Sequence, residues 1–218
     1  APILHVVKAM TVNDGIFGSD VPENDHLLWL VGTTYALGAR VLYEYMDDLY
    51  NIHTHKIYES VQAGNIGKAP LTEPTWWKEV SPTNRWKMFD LSTSTQTLFT
   101  APRYYKIGLF RSISSLAFVG VTDIASIRIR LTDTGGRDGL VYDQTFNLRD
   151  IPASSSWYAW TFEERLNKQS LTVNNLPNYP TALLRIDVTP IGTAGAIGVC
   201  MYGISKTIGT GVHAGAKL

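Results

Sequence analysis

Ile127-Arg-Ile-Arg-Leu-Thr132 is the stretch that decides the fold, because apolar and polar side chains alternate along it at every second residue. This period predicts a strand with one buried face and one solvated face. The glycine-rich segment Asp133–Gly139 follows it, and Leu140–Leu148 then fits the return strand of a hairpin. The stretch therefore places an antiparallel sheet in the second half of the chain.

Further strands are predicted at Ser170–Leu176, Thr181–Thr189 and Ala194–Ser205. Alternation within the second of them predicts four inward side chains, which are Ala182, Leu184, Ile186 and Val188. Short strands separated by turn residues, with few helical patterns, favour an antiparallel sandwich over other architectures. The predicted fold class is all-β: a small aromatic N-terminal β module followed by an antiparallel jelly-roll-like β-sandwich.

Composition excludes several classes of function. The chain has 218 residues, with 19 Lys plus Arg balanced by 19 Asp plus Glu, so it has no basic field for nucleic acid or an anionic membrane. Its 44% hydrophobic content excludes disorder over most of the length. The single Cys200 excludes a disulfide framework and a cysteine zinc cluster, and it fits a chain made in a reducing cytosol. Without an apolar run of 18 residues or a signal-peptide pattern at the start, neither membrane insertion nor secretion is predicted.

The charge is distributed unevenly along the chain. Residues 1–90 contain seven Lys or Arg and eleven Asp or Glu, a net charge of −4, whereas residues 91–218 contain twelve and eight, a net charge of +4. A Ser/Thr-rich stretch, Leu91–Thr97, follows the first segment. The predicted division is an N-terminal arm at 1–25 that docks on a neighbouring molecule, a small module at 26–90 and a sandwich at 91–218.

The module contains an ordered set of aromatic residues and glycines: Tyr35, Gly38, Val41, Tyr58, Gly64, Gly67, Pro70, Trp76 and Trp77. The pattern resembles the small chitin-binding and cellulose-binding modules of bacterial chitinases, in which a turn and strand precede a Tyr strand, a Gly/Pro loop and a Trp. The resemblance implies a carbohydrate-binding-like domain. The stretch Tyr43–Thr54 is longer than the turn that such modules usually have there, which favours an architectural role over sugar binding.

The wider arrangement resembles a family of tailed-bacteriophage virion proteins. Its marks are the segment Pro82-Thr-Asn-Arg-Trp-Lys-Met-Phe-Asp90, then Thr95-Gln-Thr97, and near the end Ile197-Gly198, Tyr202-Gly203 and Ile208-Gly-Thr210. In that family a module of this type continues through the first segment into a β-sandwich. The resemblance implies a structural protein of the virion, made in the host cytoplasm.

Flat aromatic rings bind sugars by stacking on their C–H faces, so five residues are candidates for a carbohydrate platform. They are Trp29, Tyr35, Tyr58, Trp76 and Trp77. The alternative is that these rings form the core of a module too small for an aliphatic core. Because Trp76 and Trp77 are adjacent, a strand would direct only one of them inward.

A second candidate cluster joins the two segments: Arg85, Trp86, Phe89 and Asp90. It combines a planar cation, two rings and a carboxylate within six residues, so Arg85 could pair with Asp90 or stack on a ring. We interpret the cluster as a lock between module and sandwich, because a linker between independent domains is poorer in aromatic residues. An ordinary linker strand is the alternative.

The other candidate chemistries are weak. His53 and His55, with Asp47 or Asp48, fall short of a metal site, and exposed loop histidines are the commoner explanation. Glu163 and Glu164 are adjacent and would project from opposite faces of a strand, so they cannot flank one glycosidic bond. No nucleophile elbow, zinc-protease motif or phosphate loop occurs. Neither an enzyme, a metal nor a cofactor is predicted.

The sequence thus favours a tail or baseplate adaptor of a tailed-phage virion, which acts through stable protein–protein contacts. Its expected partners are other virion structural proteins and copies of itself. A glycan-binding adhesion module that contacts cell-surface polysaccharide is the alternative, and a head decoration protein is a more distant one. Exposure of Trp76 or Trp77 distinguishes the first two.

Overall fold

The structure is a computed structural model, and it describes residues 3–10, 16–43, 55–135, 139–149, 157 and 167–210. Thirteen strands run along these residues: β1 (Ile3–Ala9), β2 (Ile16–Ser19), β3 (Arg40–Tyr43), β4 (Lys56–Ser60), β5 (Trp77–Pro82), β6 (Thr97–Phe99), β7 (Arg103–Gly108), β8 (Ser115–Thr122), β9 (Ile124–Asp133), β10 (Leu140–Asn147), β11 (Ser170–Asn174), β12 (Ala182–Pro190) and β13 (Gly195–Thr210). A single 3-10 turn, Lys87–Phe89, lies between β5 and β6. Among the described residues, no helix is long and apolar enough to cross a membrane.

The all-β prediction is confirmed, and the hairpin that decided it is present. β9 pairs antiparallel with β10 on one side and with β12 on the other. The alternating residues Ile127, Ile129 and Leu131 are all buried, as are the four residues predicted to point inward from β12. The period of two therefore identified the buried face of both strands correctly.

Two antiparallel five-stranded sheets form the sandwich. One has the order β10-β9-β12-β7-β2, and the other runs β1-β13-β8-β11 with β6 beside β13. From β6 to β9 and again from β10 to β13, successive strands alternate between the sheets, which is a jelly-roll-like connectivity. Inner side chains of both sheets, such as Ile129 and Phe118, share one hydrophobic core.

The N-terminal segment belongs to the sandwich, which corrects the predicted division at residue 25. β1 pairs with the second half of β13, from Gly203 to Thr210, and β2 pairs with β7. Val21, which follows β2, is fully buried in the sandwich core. The arm predicted to dock on a neighbour therefore supplies an edge strand to each sheet of its own chain.

The module is a separate three-stranded antiparallel sheet with the order β3-β4-β5. All three glycines of the resemblance pattern have left-handed backbones that other residues rarely adopt: φ is +80° at Gly38, +70° at Gly64 and +67° at Gly67. The Gly38 amide donates a hydrogen bond to the Ser60 carbonyl at 2.7 Å, which joins the turn before β3 to the end of β4. These glycines allow turns tight enough for so short a sheet.

Candidate functional site: the aromatic module and its attachment to the sandwich

Three of the five candidate sugar-stacking rings form the core of the module. Tyr35, Tyr58 and Trp77 are buried together with Val41. The rings of Tyr35 and Trp77 meet edge to face at 5.2 Å, and the Trp77 indole N–H donates to the Lys68 carbonyl at 2.8 Å. Rings buried to this extent offer little surface for stacking on a sugar, and of the three Tyr35 lines an open concavity among the described residues. Burial raises the pKa of the Tyr58 hydroxyl.

The remaining two candidate rings, Trp29 and Trp76, are partly exposed and pack on the outside of this core. Trp29 contacts Tyr43 edge to face at 5.6 Å, and the Lys68 ammonium lies 5.8 Å from the centre of the Trp76 ring. Of the adjacent tryptophans, Trp77 at the start of β5 is buried, whereas Trp76 in the turn before it is partly exposed.

A buried asparagine, which sequence reasoning missed, holds the loop beside these rings. Asn65 exchanges two backbone hydrogen bonds with Tyr35, at 2.8 and 3.1 Å. Its side-chain amide donates to the Ser60 hydroxyl at 3.0 Å and to the Trp76 carbonyl at 3.4 Å. Asn65 thereby fixes the position of Trp76 relative to β4.

The module exposes a run of aliphatic side chains, which we call the aliphatic strip: Leu27, Leu28, Leu30 and Val31. Each of them is between 52% and 85% exposed. Two backbone hydrogen bonds of 2.9 Å, from Trp29 to the Leu42 carbonyl and from Leu42 to the Leu27 carbonyl, hold this segment along β3. The sequence shows that Leu27–Val31 contains no charged residue, but such a run normally predicts a buried strand and not an exposed surface.

The module is attached to the sandwich through a buried carboxylate, that of Glu23. This carboxylate accepts a hydrogen bond from the Thr83 hydroxyl at 2.6 Å, lies 2.8 Å from Nδ1 of His55 and lies 2.7 Å from the Arg85 guanidinium. We call these four residues the Glu23 cluster. Glu23 follows β2 of the sandwich, His55 precedes β4, and the other two follow β5. One carboxylate therefore joins three parts of the chain.

Arg85 pairs with Glu23 and not with Asp90, which corrects the expected pairing within the predicted lock. The Arg85 side chain also donates from Nε to the Val21 carbonyl at 2.9 Å, and its own carbonyl accepts from the Tyr105 hydroxyl at 2.8 Å. Asp90 instead accepts hydrogen bonds from the Ser92 amide at 2.8 Å and the Thr95 hydroxyl at 2.5 Å. It stabilises the turn between the two regions.

The two rings of the predicted lock contact different regions of the molecule. Trp86 stacks on His55 of the module, with ring centres 4.8 Å apart. Phe89 meets Tyr105 of the sandwich edge to face at 5.4 Å. A second carboxylate supports the link, because Asp25 lies 2.9 Å from the Lys87 ammonium and accepts from the Asn84 amide at 2.8 Å. The predicted residues thus contact both regions.

The charge state of Glu23 follows from its surroundings. Burial raises the pKa of this carboxyl, but hydrogen bonds from His55 and Thr83, with the positive charges of His55 and Arg85, outweigh burial. The net effect lowers the pKa of Glu23 below its ordinary value. The cluster therefore holds an ionised carboxylate at neutral pH, when its partners are in place.

The sandwich has an open groove of about 630 Å³ at one end, which we call the Phe110 groove. The buried side chains of Leu109 and Ala182 are among its lining residues, and Leu183 and Lys106 also line it. The Phe110 ring at its side is 80% exposed. Sequence reasoning missed this feature, because the groove lies where the end of β7 pairs with the start of β12, a pairing that the strand pattern does not reveal.

The other candidate residues divide between described and undescribed parts of the chain. Asp47, Asp48, His53 and the Glu163-Glu164 pair lie outside the described residues, whereas His55 belongs to the Glu23 cluster. Within the described part of the chain, no group of three His, Cys, Asp or Glu residues is placed to hold a metal ion. Cys200 is buried in the sandwich core, and burial raises the pKa of its thiol.

No family model matches the chain, and no curated protein matches it. Among solved structures, a chitosan-binding module of a chitosanase/glucanase from Paenibacillus sp. IK-5 has 10% identity and a TM-score of 0.34 over 53% of this chain and 81% of its own. CpGH89CBM32-6 from Clostridium perfringens has 11% identity and a TM-score of 0.35, covering 53% and 81%. The enzymatically active domain of bacteriophage CBA120 tailspike protein 4 has 15% identity and a TM-score of 0.27, covering 81% and 18%.

Proposed function

We propose that this protein is a non-enzymatic structural protein of a tailed-phage virion, placed in the tail or baseplate, that assembles through stable contacts with copies of itself. The aliphatic strip is the observation that carries the proposal. The sequence of Pro82–Asp90, which resembles the corresponding segment of phage virion proteins, supports the assignment to a virion.

The strip is suited to a protein partner more than to a sugar. Four large aliphatic side chains within five residues are exposed, and Leu27, Leu28 and Leu30 line an open concavity in which aliphatic residues outnumber charged ones. Burial of such a surface contributes about 25 cal/mol for each Å² removed from water, so a protein partner that covers it gains a substantial free energy. Isolated exposed leucines would carry no such meaning, whereas four neighbouring ones do.

The attachment of the module makes the strip a fixed surface. Glu23 and Asp25 lie directly before the strip in sequence, and their contacts with His55, Arg85 and Lys87 connect it to both regions. A surface held in one orientation loses less conformational entropy when it binds than a mobile one does. The geometry therefore favours a long-lived contact.

The charge of the chain permits self-association. Its net charge is zero and only 17% of its residues are charged, so copies do not repel one another. Contacts of this kind depend on apolar burial, which salt does not screen. Oligomers of the protein should therefore persist at high ionic strength.

Sedimentation of the full chain in low salt, and in about 1 M salt where the Debye length is about 3 Å, tests the proposal. We expect oligomers under both conditions. The double variant Leu27→Lys, Leu30→Lys should be monomeric, because it places two charges in the contact. The matched control is Leu140→Lys, at a 56% exposed position of β10 remote in sequence, and it should assemble normally. A monomeric native chain, or dissociation by salt alone, would contradict the proposal.

Glycan binding by the module is a second candidate function, and the partly exposed faces of Trp76 and Trp29 favour it. Stacking of a sugar on one or two rings contributes roughly 1 kcal/mol for each ring, so one copy would bind with millimolar to high-micromolar affinity. An assembly of many copies would bind much more tightly through avidity.

Retention of the assembled protein on chitin and cellulose particles tests this second function. Trp76→Ala should abolish retention, whereas Leu140→Ala, which removes an exposed side chain of β10 outside the aliphatic strip, should leave it unchanged. Equal retention of the Trp76→Ala variant and the native chain would exclude Trp76 as the binding residue. A lack of retention for the native assembly would exclude these two polysaccharides as ligands and leave the assembly function alone.

A further inference from the structure

The two most exposed large apolar side chains among the described residues lie in different regions of the molecule. Leu27 of the aliphatic strip is 85% exposed on the module, and Phe110 of the groove is 80% exposed on the sandwich. Exposure of this extent is costly to keep in water. Leu27, Leu28 and Leu30 of the strip line an open concavity of about 570 Å³, and the Phe110 groove is an open concavity of about 630 Å³ lined in part by buried residues.

The regions that carry the two surfaces have opposite net charge. Residues 22–90, which include the module and the strip, have six basic and nine acidic residues, a net charge of −3. Residues 1–21 and 91–218, which include the sandwich and the groove, have thirteen basic and ten acidic residues, a net charge of +3. Two copies therefore attract each other when the module of one approaches the sandwich of the other, and repel when like regions meet.

Positively charged side chains lie at the groove, in agreement with the positive net charge of the sandwich. Lys106 lines the groove, and Arg111 is exposed directly after Phe110. Neither cation has a carboxylate within salt-bridge distance among the residues that the structure describes. The Lys106 ammonium lies 5.4 Å from the centre of the Tyr104 ring instead. The rim of the groove thus has positive charge available for an acidic partner.

We propose that the aliphatic strip of one copy docks into the Phe110 groove of a second copy. This inference rests on the proposed assembly function and names the partner surface of the strip. Because strip and groove are different surfaces, the contact is head to tail, and each copy can bind one neighbour at each end. Such contacts close into a ring or continue as a filament, whereas a contact between two strips would stop at a dimer.

Complementation between two variants tests the head-to-tail contact. The strip variant is Leu27→Lys, Leu30→Lys and the groove variant is Phe110→Lys; all three substitutions are at exposed positions, so circular dichroism should report an unchanged fold. Each variant alone should be monomeric, with self-association at least about thirtyfold weaker, as expected when a central apolar contact is lost. An equimolar mixture should form a 1:1 dimer, because one native strip then meets one native groove.

The outcomes separate this inference from the proposed function. If the strip variant is monomeric but the groove variant assembles like the native chain, the strip is an assembly surface and the groove is not its partner. If both variants are monomeric and the mixture also stays monomeric, the contact is not head to tail. Either result overturns the inference, whereas a monomeric native chain would overturn the proposed function as well. The Leu140→Lys control should oligomerise in every case.

Discussion

The sandwich and the module are stabilised by different kinds of side chain. The sandwich buries a mainly aliphatic core shared by two sheets, whereas the four buried residues of the module core are Tyr35, Val41, Tyr58 and Trp77. A three-stranded sheet has too little surface to enclose many aliphatic residues, so three large rings fill its interior. Leu42 and Ile57 are also buried, whereas the four residues of the aliphatic strip remain outside.

This difference explains how the module is held in place. A few rings provide limited hydrophobic stabilisation, and polar contacts through Glu23 and Asp25 then fix the module to the larger body. The sandwich needs no such support, because its strands pair across most of their length. The comparison indicates that the module depends on the sandwich, whereas the sandwich depends on strands from both ends of the chain.

The largest expected effect is the loss of stability of the sandwich when the strands from the N-terminal end of the chain are removed. Deletion of residues 1–20 removes β1 and β2, and it leaves the last residues of β13 without the strand that pairs with them. We expect loss of cooperative folding, a change comparable with the whole stability of a domain, about 5–15 kcal/mol. Thermal melting followed by circular dichroism measures it.

A milder variant isolates the contribution of β1 alone. A Cβ atom at Gly203 would collide with the carbonyl oxygen of Lys8, so Gly203→Ala should displace β1 and lower the melting temperature without abolishing the fold. A cooperative melt of the 1–20 deletion at the native temperature would mean that the N-terminal segment is a dispensable arm.

Substitution of the rings of the module should cause a smaller loss of stability. Trp77→Ala removes a side chain that is 3% exposed, together with its hydrogen bond to the Lys68 carbonyl, and should cost about 3–5 kcal/mol. Trp76→Ala should cost much less, because the Trp76 ring already faces solvent in part. Hydrogen exchange measured by mass spectrometry should localise the change to β3, β4 and β5. Equal destabilisation by the two substitutions would indicate that both rings are core.

The third effect concerns the attachment of the module. Glu23→Gln removes the charge from a carboxylate whose side chain is 8% exposed, and it should cost about 3 kcal/mol at neutral pH. Glu79→Gln is the matched control, because Glu79 pairs with Lys56 at a 50% exposed position, and it should cost less than about 1 kcal/mol. Urea titration measures both free energies of unfolding.

The free energy of unfolding of the native chain and that of Glu23→Gln should depend differently on pH. Since the pKa of Glu23 is lower in the folded protein than its ordinary value of 4.5, the stabilisation it provides is fully present above that value. It is lost as the pH falls through the lower, folded pKa. The native chain should therefore lose more stability than Glu23→Gln on acidification below about pH 4.5. Parallel stability curves would contradict this role for the carboxylate.

The sequence predicted what depends on local pattern and missed what depends on distant partners. Alternation alone identified the buried faces of β9 and β12, because a strand encodes its own sidedness. The pairing of Lys8 with Ile204 could not be read in this way, since nothing near Lys8 identifies a strand almost two hundred residues away. Arg85 was expected to pair with Asp90, which is near in sequence, or to stack on a ring, whereas the fold brings the Glu23 carboxylate to its guanidinium.

In the candidate site too, the sequence predicted local features but not those that depend on packing. Adjacency predicted that one of Trp76 and Trp77 faces outward, but not which one, because the choice depends on how the preceding loop packs around Asn65. The exposure of four of the five residues of Leu27–Val31 could not be predicted, because an uncharged apolar run usually indicates a buried strand. Only the small size of the module explains their exposure.

The smallest expected effect is an unchanged labelling rate of Cys200 when the module core is opened. This measurement tests whether the module opens independently of the sandwich. Cys200 reports on the sandwich alone, because its thiol is buried in that core and burial raises the pKa of the thiol, so a disulfide reagent reacts only when the sandwich opens. Trp77→Ala opens a separate core joined to the sandwich mainly by polar contacts, so the labelling rate of Cys200 should equal that of the native chain. Gly203→Ala is the positive control, since it perturbs β13, the strand that contains Cys200, and should accelerate labelling. Faster labelling of the Trp77→Ala variant would mean that the two regions unfold as one cooperative unit, with the Glu23 cluster as the coupling between them.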